Sequence, residues 1–226
     1  MGRDMRKLRI PANLTVLAYN SIKEYILDGR LDESSRLTEE FLADRLGISK
    51  SPIREALNRL EAEGLIRIEA RRGAYLRRFS TKEIDELYDL REALEVHAVR
   101  TAKVTPGLLA DLRESTRRLR KYLKANDKPH YVEEDVRFHA MIAQATGSAL
   151  LSKELESVQN RIWLFRRNTY ELSSSSAVDH HEAIVNALEV DRDAAQRAMS
   201  DHIGTVRRKL LDFLSTQESE AAALAG

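Results

Sequence analysis

The placement of helix-breaking residues most constrains the fold of this 226-residue chain. It contains only four Pro and nine Gly, and they stand mainly between segments whose apolar residues recur every three or four positions. That spacing is typical of amphipathic helices, and Pro and Gly are common where helices begin and end. The sequence therefore predicts a mainly α protein, with 42% hydrophobic residues to build a core.

Composition excludes several classes of protein. The chain has no Cys, so disulfides, thiolate metal sites and cysteine nucleophiles are absent. Charged residues make up 32% of it, and no apolar run approaches the roughly eighteen residues of a membrane span. The first ten residues are basic and lack the apolar stretch of a secretory signal. These features predict a cytoplasmic protein with no membrane partner.

Charge is divided unevenly between the two parts of the chain. Residues 1–79 carry 16 basic and 12 acidic side chains, a net charge of +4, and residues 80–226 carry 21 basic and 24 acidic, a net charge of −3. A basic head on a mildly acidic body favours polyanion binding at one end, although surface variation alone can produce such a difference. We place the domain junction between residues 79 and 80, which gives domains at 1–79 and 80–226.

The first domain combines three helices with one short hairpin. Helices are predicted at 14–26, 38–46 and 49–63 with Gly29, Gly47 and Gly64 as stop signals, and strands at 65–69 and 74–78 around the basic turn 70–73. This order predicts a winged helix-turn-helix, in which the third helix enters the major groove of DNA. Ser49, Lys50, Ser51 and Arg54 lie on its first turn, and Arg71 and Arg72 at the wing tip. The alternative is that Ser49 only caps the helix and the arginines are solvated.

The run from Arg36 to Ile66, RLTEEFLADRLGISKSPIREALNRLEAEGLI, resembles the winged-helix domain of GntR-type bacterial transcription regulators. The resemblance implies that the first turn of the third helix contacts operator DNA and that the wing helps. These contacts would come from Ser49, Lys50, Ser51, Arg54, Arg71, Arg72 and Gly73. Glu40 stands where some members have a basic residue, so Arg36 or Arg45 is expected to replace that contact.

Residues 80–226 read as an all-α antiparallel helical bundle. Six helices are predicted at 81–104, 106–125, 129–145, 148–170, 177–189 and 193–214, with Ser173–Ser176 as a loop. Trp163 and Phe165 are interpreted as core or cavity lining rather than as a cofactor box.

Four side chains of this bundle are candidate metal ligands. Asp135 and His139 lie one turn apart on one helix face. His181 and His202 lie about equally far from the predicted turn near Asp191. In an antiparallel helical hairpin, the two side chains are therefore at nearly the same level along the hairpin axis. Three imidazoles and one carboxylate suit a divalent transition ion, with Zn or Ni favoured and Mn or Fe also compatible. From spacing alone, the alternative is that His139 is a buried, hydrogen-bonded histidine and Asp135 a surface partner of neighbouring basic residues.

Residues 80–215 resemble the helical ligand-binding (FCD-type) domain of FadR-like regulators, in its VanR-like six-helix version. The matching pieces are DELYDLREALE from Asp85, DVRFH from Asp135, HEAI from His181 and HI from His202. The resemblance implies metal ligation by Asp135, His139, His181 and His202. The matching piece HEAI begins at His181, which selects His181 rather than His180. Arg91, with Arg161 as a second candidate, is expected to contact a carboxylate effector; salt bridges with Glu92 or Glu95 are the alternative.

These observations predict a homodimeric transcription regulator that binds double-stranded operator DNA, and the resemblance implies that it is a repressor. A small organic-acid effector bound at the metal is expected to modulate DNA binding. Two alternatives are a metal-dependent hydrolase and a constitutive DNA-binding protein without an effector. No nucleophile signature or phosphate-binding glycine loop supports an enzyme.

Overall fold

A computed structural model gives the fold and describes residues 13–27, 31, 35–172 and 174–225. The described residues are mainly helical with one two-stranded sheet, so the predicted fold class is confirmed. The chain separates into two compact units, Met1–Arg78 and Phe79–Gly226. The predicted stop signal at Gly29 lies outside the described residues.

The N-terminal unit is a winged helix-turn-helix. Its elements are α1 (Asn13–Leu27), α2 (Glu39–Leu46), α3 (Lys50–Ala62), β1 (Ile66–Glu69) and β2 (Gly73–Leu76). Helix α3 packs against α1, α2 and β1 through a buried apolar stripe that includes Ile53, Leu57 and Leu60. The opposite face of α3 stays exposed, which leaves it available to a partner.

Two glycines fix the geometry of this unit. Gly47 ends α2 in the left-handed conformation at φ 65°, where its N–H bonds to the Ala43 carbonyl and turns the chain toward α3. Gly73 has φ 105°, and a Cβ there would lie 2.8 Å from the Leu37 carbonyl oxygen. Leu37 and Ala74 exchange backbone hydrogen bonds of 2.8 Å at this point, so the segment before α2 is tied to the wing.

The C-terminal unit is a bundle of six α-helices among the described residues. They are α4 (Thr81–Thr101), α5 (Pro106–Lys124), α6 (Lys128–Gln144), α7 (Ala149–Thr169), α8 (Ser174–Val190) and α9 (Arg192–Ala225), with a 3-10 turn at Tyr170–Leu172. The prediction of a loop at Ser173–Ser176 was wrong for Ser174 to Ser176, which form the first turn of α8, and Ser173 lies outside the described residues. Ser174 is buried, and its carbonyl accepts a 3.0 Å hydrogen bond from the Tyr131 hydroxyl.

Helix α4 packs against α6, α7 and α9, and α8 packs against α5 and α9. The apolar core between them contains Phe138, Ile142, Ile184, Met199 and Ile203. Within this core the helices carry several buried charged and imidazole side chains, which form the second candidate site.

None of the described helices is long and apolar enough to cross a lipid bilayer.

Candidate DNA-binding helix and buried histidine cluster

The first candidate site is the exposed N-terminal turn of α3. Ser49 is the N-cap residue, with φ −68° and ψ 160°, but its side chain makes no capping hydrogen bond. Ser49, Lys50 and Ser51 are all exposed. The first N–H groups of a helix have no intrahelical acceptor. This turn therefore presents hydroxyls, a cation and backbone donors, which are the groups that contact phosphates and base edges.

The two cations of this turn are paired with carboxylates of α2. Arg54 donates two hydrogen bonds of 2.7 Å to Glu39, one from Nε and one from Nη2, and Lys50 pairs with Glu40. The hydrogen bond from Arg54 lowers the pKa of Glu39, so the pair is ionised near neutrality. Because both pairs are exposed, they are weak and can exchange for DNA phosphates or base acceptors. Glu40, the departure noted in the sequence, thus contacts Lys50.

The other residues predicted to bind DNA lie at the wing and on α2. Arg71 and Arg72 are exposed in the three-residue loop between β1 and β2, and Arg72 lies 3.0 Å from Glu69. Arg36 is exposed just before the bridge to the wing, and Arg45 is exposed in the last turn of α2. Gly73 is half-buried, and its positive φ and the close approach of the Leu37 carbonyl explain why a glycine stands at this position of the wing.

The second candidate site is a cluster of three buried histidines in the C-terminal unit. One ring nitrogen from each of His139, His181 and His202 lies within 4.8 Å of the others. All three side chains are at most 1% exposed. Nε2 of His181 is 3.3 Å from Nε2 of His139 and 3.6 Å from Oδ1 of Asp135. Helices α6, α8 and α9 therefore bring the three predicted imidazoles together. Asp135 lies next to His181 but is not one of the group within 4.8 Å, and neither is the half-buried His180.

Charged side chains hold this cluster in place. The Glu95 carboxylate contacts Nδ1 of His139 and accepts a 2.7 Å hydrogen bond from Nε of Arg91. Arg166 donates a 2.7 Å hydrogen bond from Nη1 to Oδ2 of Asp135. Burial acts to raise the pKa of Asp135, but Arg166 together with His181, His139 and Arg91 outweighs burial and holds that pKa below its ordinary value. Burial similarly opposes the ionisation of Glu95, yet Arg91 and His139 lower its pKa to about 2.

The atoms at the centre of the cluster fit a metal ion. Among the described residues, Oδ1 of Asp135 and both ring nitrogens of His202 have no hydrogen-bond partner, which is uncommon for buried polar atoms. Burial lowers the pKa of His181 to about 3, so its imidazole is neutral and can offer a lone pair. The carboxylate contact at Nδ1 of His139 leaves Nε2 as the ligating nitrogen, an arrangement common in metal sites. Nη2 of Arg91 lies 2.9 Å from that Nε2, so ligation requires this guanidinium to move.

A narrow cavity adjoins the cluster, with a volume of about 10 Å³, or room for about one water molecule. Helices α4, α6 and α7 line it, with the side chains of Arg91, Val132, Asp135, Val136, Gln159, Ile162, Trp163 and Arg166. Arg91, a predicted effector contact, is therefore at the cavity. Arg161, the second candidate, is not among these residues and instead hydrogen-bonds to Ser157 on its own helix.

Sequence reasoning missed Arg166, Gln159 and the contact between Glu95 and His139. Glu95 was considered only as a salt-bridge partner of Arg91, and that pair does form. A usable signal for Glu95 was its place four residues after Arg91 on one helix face. No sequence signal identified Arg166, because its pairing with Asp135 depends on how α7 packs against α6.

Two protein-family models match the chain. "Bacterial regulatory proteins, gntR family" matches residues 14–76, and "FCD domain" matches residues 86–205, more than half of the chain. The chain belongs to the GntR family. It carries that family's DNA-binding domain followed by an FCD domain, as the sequence resemblance implied.

Curated relatives and solved structures agree with this assignment. The gluconate operon transcriptional repressor of Bacillus licheniformis is 28% identical over 204 residues, which cover 85% of this chain and 83% of the relative. The HTH-type transcriptional repressor RspR of Escherichia coli is 25% identical over 190 residues, or 82% of this chain and 83% of RspR. Among solved structures, E. coli McbR/YncC has the same fold, with a TM-score of 0.78 at 23% identity over 91% of this chain and 98% of that one.

This GntR-family protein is a DNA-binding transcription regulator. The relatives that it matches are named as transcriptional repressors and not as enzymes, so the hydrolase alternative is set aside.

Proposed function

We propose that this regulator binds operator DNA through α3 and the wing, and that a small carboxylate effector bound at a metal in the FCD domain modulates that binding. The observation that carries the proposal is the convergence of three buried imidazoles within 4.8 Å of one another, beside a carboxylate. Both ring nitrogens of the buried His202 lack a hydrogen-bond partner among the described residues. Such an imidazole costs folding free energy, so a bound ion is the simplest reason for it.

The proposed DNA contacts are divided between α3 and the wing. Lys50 and Arg54 on the first turn of α3 reach phosphates or the acceptor edge of guanine, and the hydroxyls of Ser49 and Ser51 reach phosphates or base edges. The wing arginines Arg71 and Arg72 approach the minor groove or its flanking phosphates. Arg36 or Arg45 adds a further cationic contact.

The regulator is proposed to act as a homodimer and a repressor. One winged helix makes few base contacts, whereas a two-fold dimer reads both halves of an inverted repeat. The relatives reported above are named as transcriptional repressors, which supports repression as the direction of control.

The proposed metal ligands are Asp135, His139, His181 and His202. Three imidazole nitrogens with one carboxylate oxygen favour Zn or Ni, and Mn or Fe is also compatible with this set. When bound, the ion would supply open coordination positions for a carboxylate of the effector. Glu95 orients His139 through Nδ1, and Arg166 orients Asp135 through Oδ2.

Arg91 is the proposed protein contact for the effector carboxylate, because its guanidinium borders the cavity next to His139. A cavity of about 10 Å³ is too small for an organic acid. Effector binding must therefore move side chains or whole helices among α4, α6 and α7. A ligand alters DNA binding only if it prefers one of the two resulting arrangements, and this enlargement is the source of that preference.

His181→Ala tests the division of labour, with the exposed His97→Ala as the matched control. Metal content is measured by mass spectrometry of purified protein, and operator protection by footprinting with and without a panel of carboxylates. We expect the His181→Ala protein to lose bound metal and effector response while still protecting the operator. Metal retained at wild-type stoichiometry would contradict the ligand set. If no carboxylate changes the operator protection by the metal-loaded wild type, a constitutive DNA-binding protein is favoured instead.

A further inference from the structure

The cavity beside the histidine cluster is lined by hydrogen-bond donors that the described part of the chain leaves without acceptors. Arg166 is 6% exposed and Gln159 is 5% exposed, and both line the cavity. Nη1 of Arg166 donates a hydrogen bond to Asp135. Nε and Nη2 of Arg166 and Nε2 of Gln159 have no hydrogen-bond partner among the described residues. Unpaired buried donors are costly, so they point to an acceptor that binds in this cavity.

The free donors are arranged for a carboxylate. Nε and Nη2 form the side edge of the guanidinium, which donates two parallel hydrogen bonds to a carboxylate. Gln159 and Arg166 lie seven residues apart on α7 and so share one face of the helix. Helical side chains lean toward the N-terminus, which brings the long Arg166 side chain toward Gln159. The amide of Gln159 can therefore add a third donor to the same anion.

The charges around the cavity indicate how many negative charges the ligand carries. The buried cations Arg91 and Arg166 are balanced by the buried anions Glu95 and Asp135. A divalent ion at the histidines would add two positive charges in the same dry region. Buried charges without counterions are strongly unfavourable, and a monocarboxylate would neutralise only half of this excess.

We infer that Arg166 and Gln159 form a second carboxylate subsite and that the effector is a dicarboxylate. This inference rests on the proposed function, in which the first carboxylate meets the metal and Arg91. The second carboxylate then takes the free edge of Arg166 and the amide of Gln159, at the side of the cavity formed by α7.

Matched pairs of acids test the inference on the zinc-loaded, full-length protein. Succinate is compared with butyrate and glutarate with valerate, so that each pair differs in one terminal carboxylate. Trp163 is the only Trp in the chain and lines the cavity, so its fluorescence reports binding directly. We expect one dicarboxylate to bind about 10- to 100-fold more tightly than its matched monocarboxylate, the range for a charge-assisted bidentate contact.

Two variants separate the subsite from a structural role. Gln159→Met removes the amide at similar volume, and Arg166→Lys keeps a cation beside Asp135 but removes the bidentate edge. Both should bring the ratio of dicarboxylate to monocarboxylate affinity toward one, and Gln144→Met, at an exposed position of α6, should leave it as in the wild type. Because the Gln159 amide nitrogen has no partner, Gln159→Met should melt at the wild-type temperature or above without ligand.

The outcomes separate this inference from the proposed function. Equal affinity for both acids of each pair, or an unchanged preference in Gln159→Met, would overturn the dicarboxylate subsite alone. If no carboxylate changes the fluorescence or melting temperature of the zinc-loaded wild type, the proposed effector function itself fails. Zinc content, measured on the same samples, shows whether each variant still has an intact metal site.

Discussion

The cations of the N-terminal unit and those of the C-terminal unit differ in their access to water. Arg54 pairs with Glu39 on the surface, where 63% of the Arg54 side chain is exposed. Arg166 pairs with Asp135 in the core, where 7% of the Arg166 side chain is exposed. Both are Arg–carboxylate pairs at 2.7 Å, but Arg54 donates two hydrogen bonds where Arg166 donates one, and their surroundings differ.

This difference in solvent exposure determines whether each pair can exchange its partner. An exposed pair loses little when its partner changes, so Arg54 is free to leave Glu39 for DNA. A buried pair cannot lose one partner without leaving a desolvated charge behind, so Arg166 remains with Asp135 and offers a ligand only its free edge. The first arrangement suits a reversible polyanion contact, and the second suits a preorganised small-molecule site.

The largest expected effect is on folding stability and compares these two arginines directly. Arg166→Met leaves the Asp135 carboxylate buried without its counterion, so we expect a loss of about 3–5 kcal/mol in the free energy of unfolding. Arg54→Met should leave stability unchanged within error. Urea unfolding of both variants measures the contrast, and equal stability of the two would show that the buried pair is not a structural necessity.

The next effect concerns the carboxylate that orients His139. Glu95→Gln keeps the shape of the side chain but weakens its contact with the imidazole and with Arg91, so zinc affinity should fall about 10- to 100-fold. Competition with a chelator measures the affinity. Glu92→Gln, one turn away and partly exposed, is the matched control. Similar affinities in both variants would remove Glu95 from the metal site.

A similar or smaller effect is expected at the DNA surface. Arg54→Ala should weaken operator binding about 5- to 100-fold and relax the preference for one base pair. Arg72→Ala should weaken binding to all sequences alike and reduce the slope of log affinity against log salt by about 1. Fluorescence anisotropy over a salt series separates the two patterns. If both variants weaken binding to all sequences alike, neither arginine reads a base.

The smallest effect distinguishes two serines at helix starts. Ser80 caps α4 in a reciprocal capping box with Glu83, whereas the Ser49 side chain makes no capping bond at α3. Ser80→Ala should therefore cost about 1 kcal/mol of stability. Ser49→Ala should cost almost none but weaken operator binding. A stability loss at Ser49 equal to that at Ser80 would mean that its hydroxyl serves the helix and not DNA.

Most of the fold could be predicted because its determinants are local. Thr105–Pro106 and Gly147 mark helix boundaries in the sequence, and the structure has α5 beginning at Pro106 and a break between α6 and α7 at Gly147. The loop prediction was wrong at Ser174–Ser176, where α8 begins and the Tyr131 hydroxyl donates a hydrogen bond to the Ser174 carbonyl across 43 residues. Local preference alone contains no information about that contact.

The candidate site was predictable where helix geometry sufficed. Nearly equal distances from the turn at Asp191 predicted that His181 and His202 approach each other, and their ring centroids lie 4.6 Å apart. The pair of Arg166 with Asp135 spans 31 residues and two helices, so it depends on the register of α7 against α6. Nothing in the sequence fixes that register, which is why Arg161 was named and Arg166 was not.

The contact between Gly73 and the Leu37 carbonyl determines which residues of the N-terminal unit can be substituted. A side chain at residue 73 would separate the wing from the segment leading into α2, so this crossing point tolerates no substitution without rearrangement. The loop residues Ala70, Arg71 and Arg72 lie outside that crossing. Libraries that aim to redirect the regulator to a new operator can therefore randomise the loop tip and the exposed turn of α3 while residues 37, 73 and 74 stay constant as the frame.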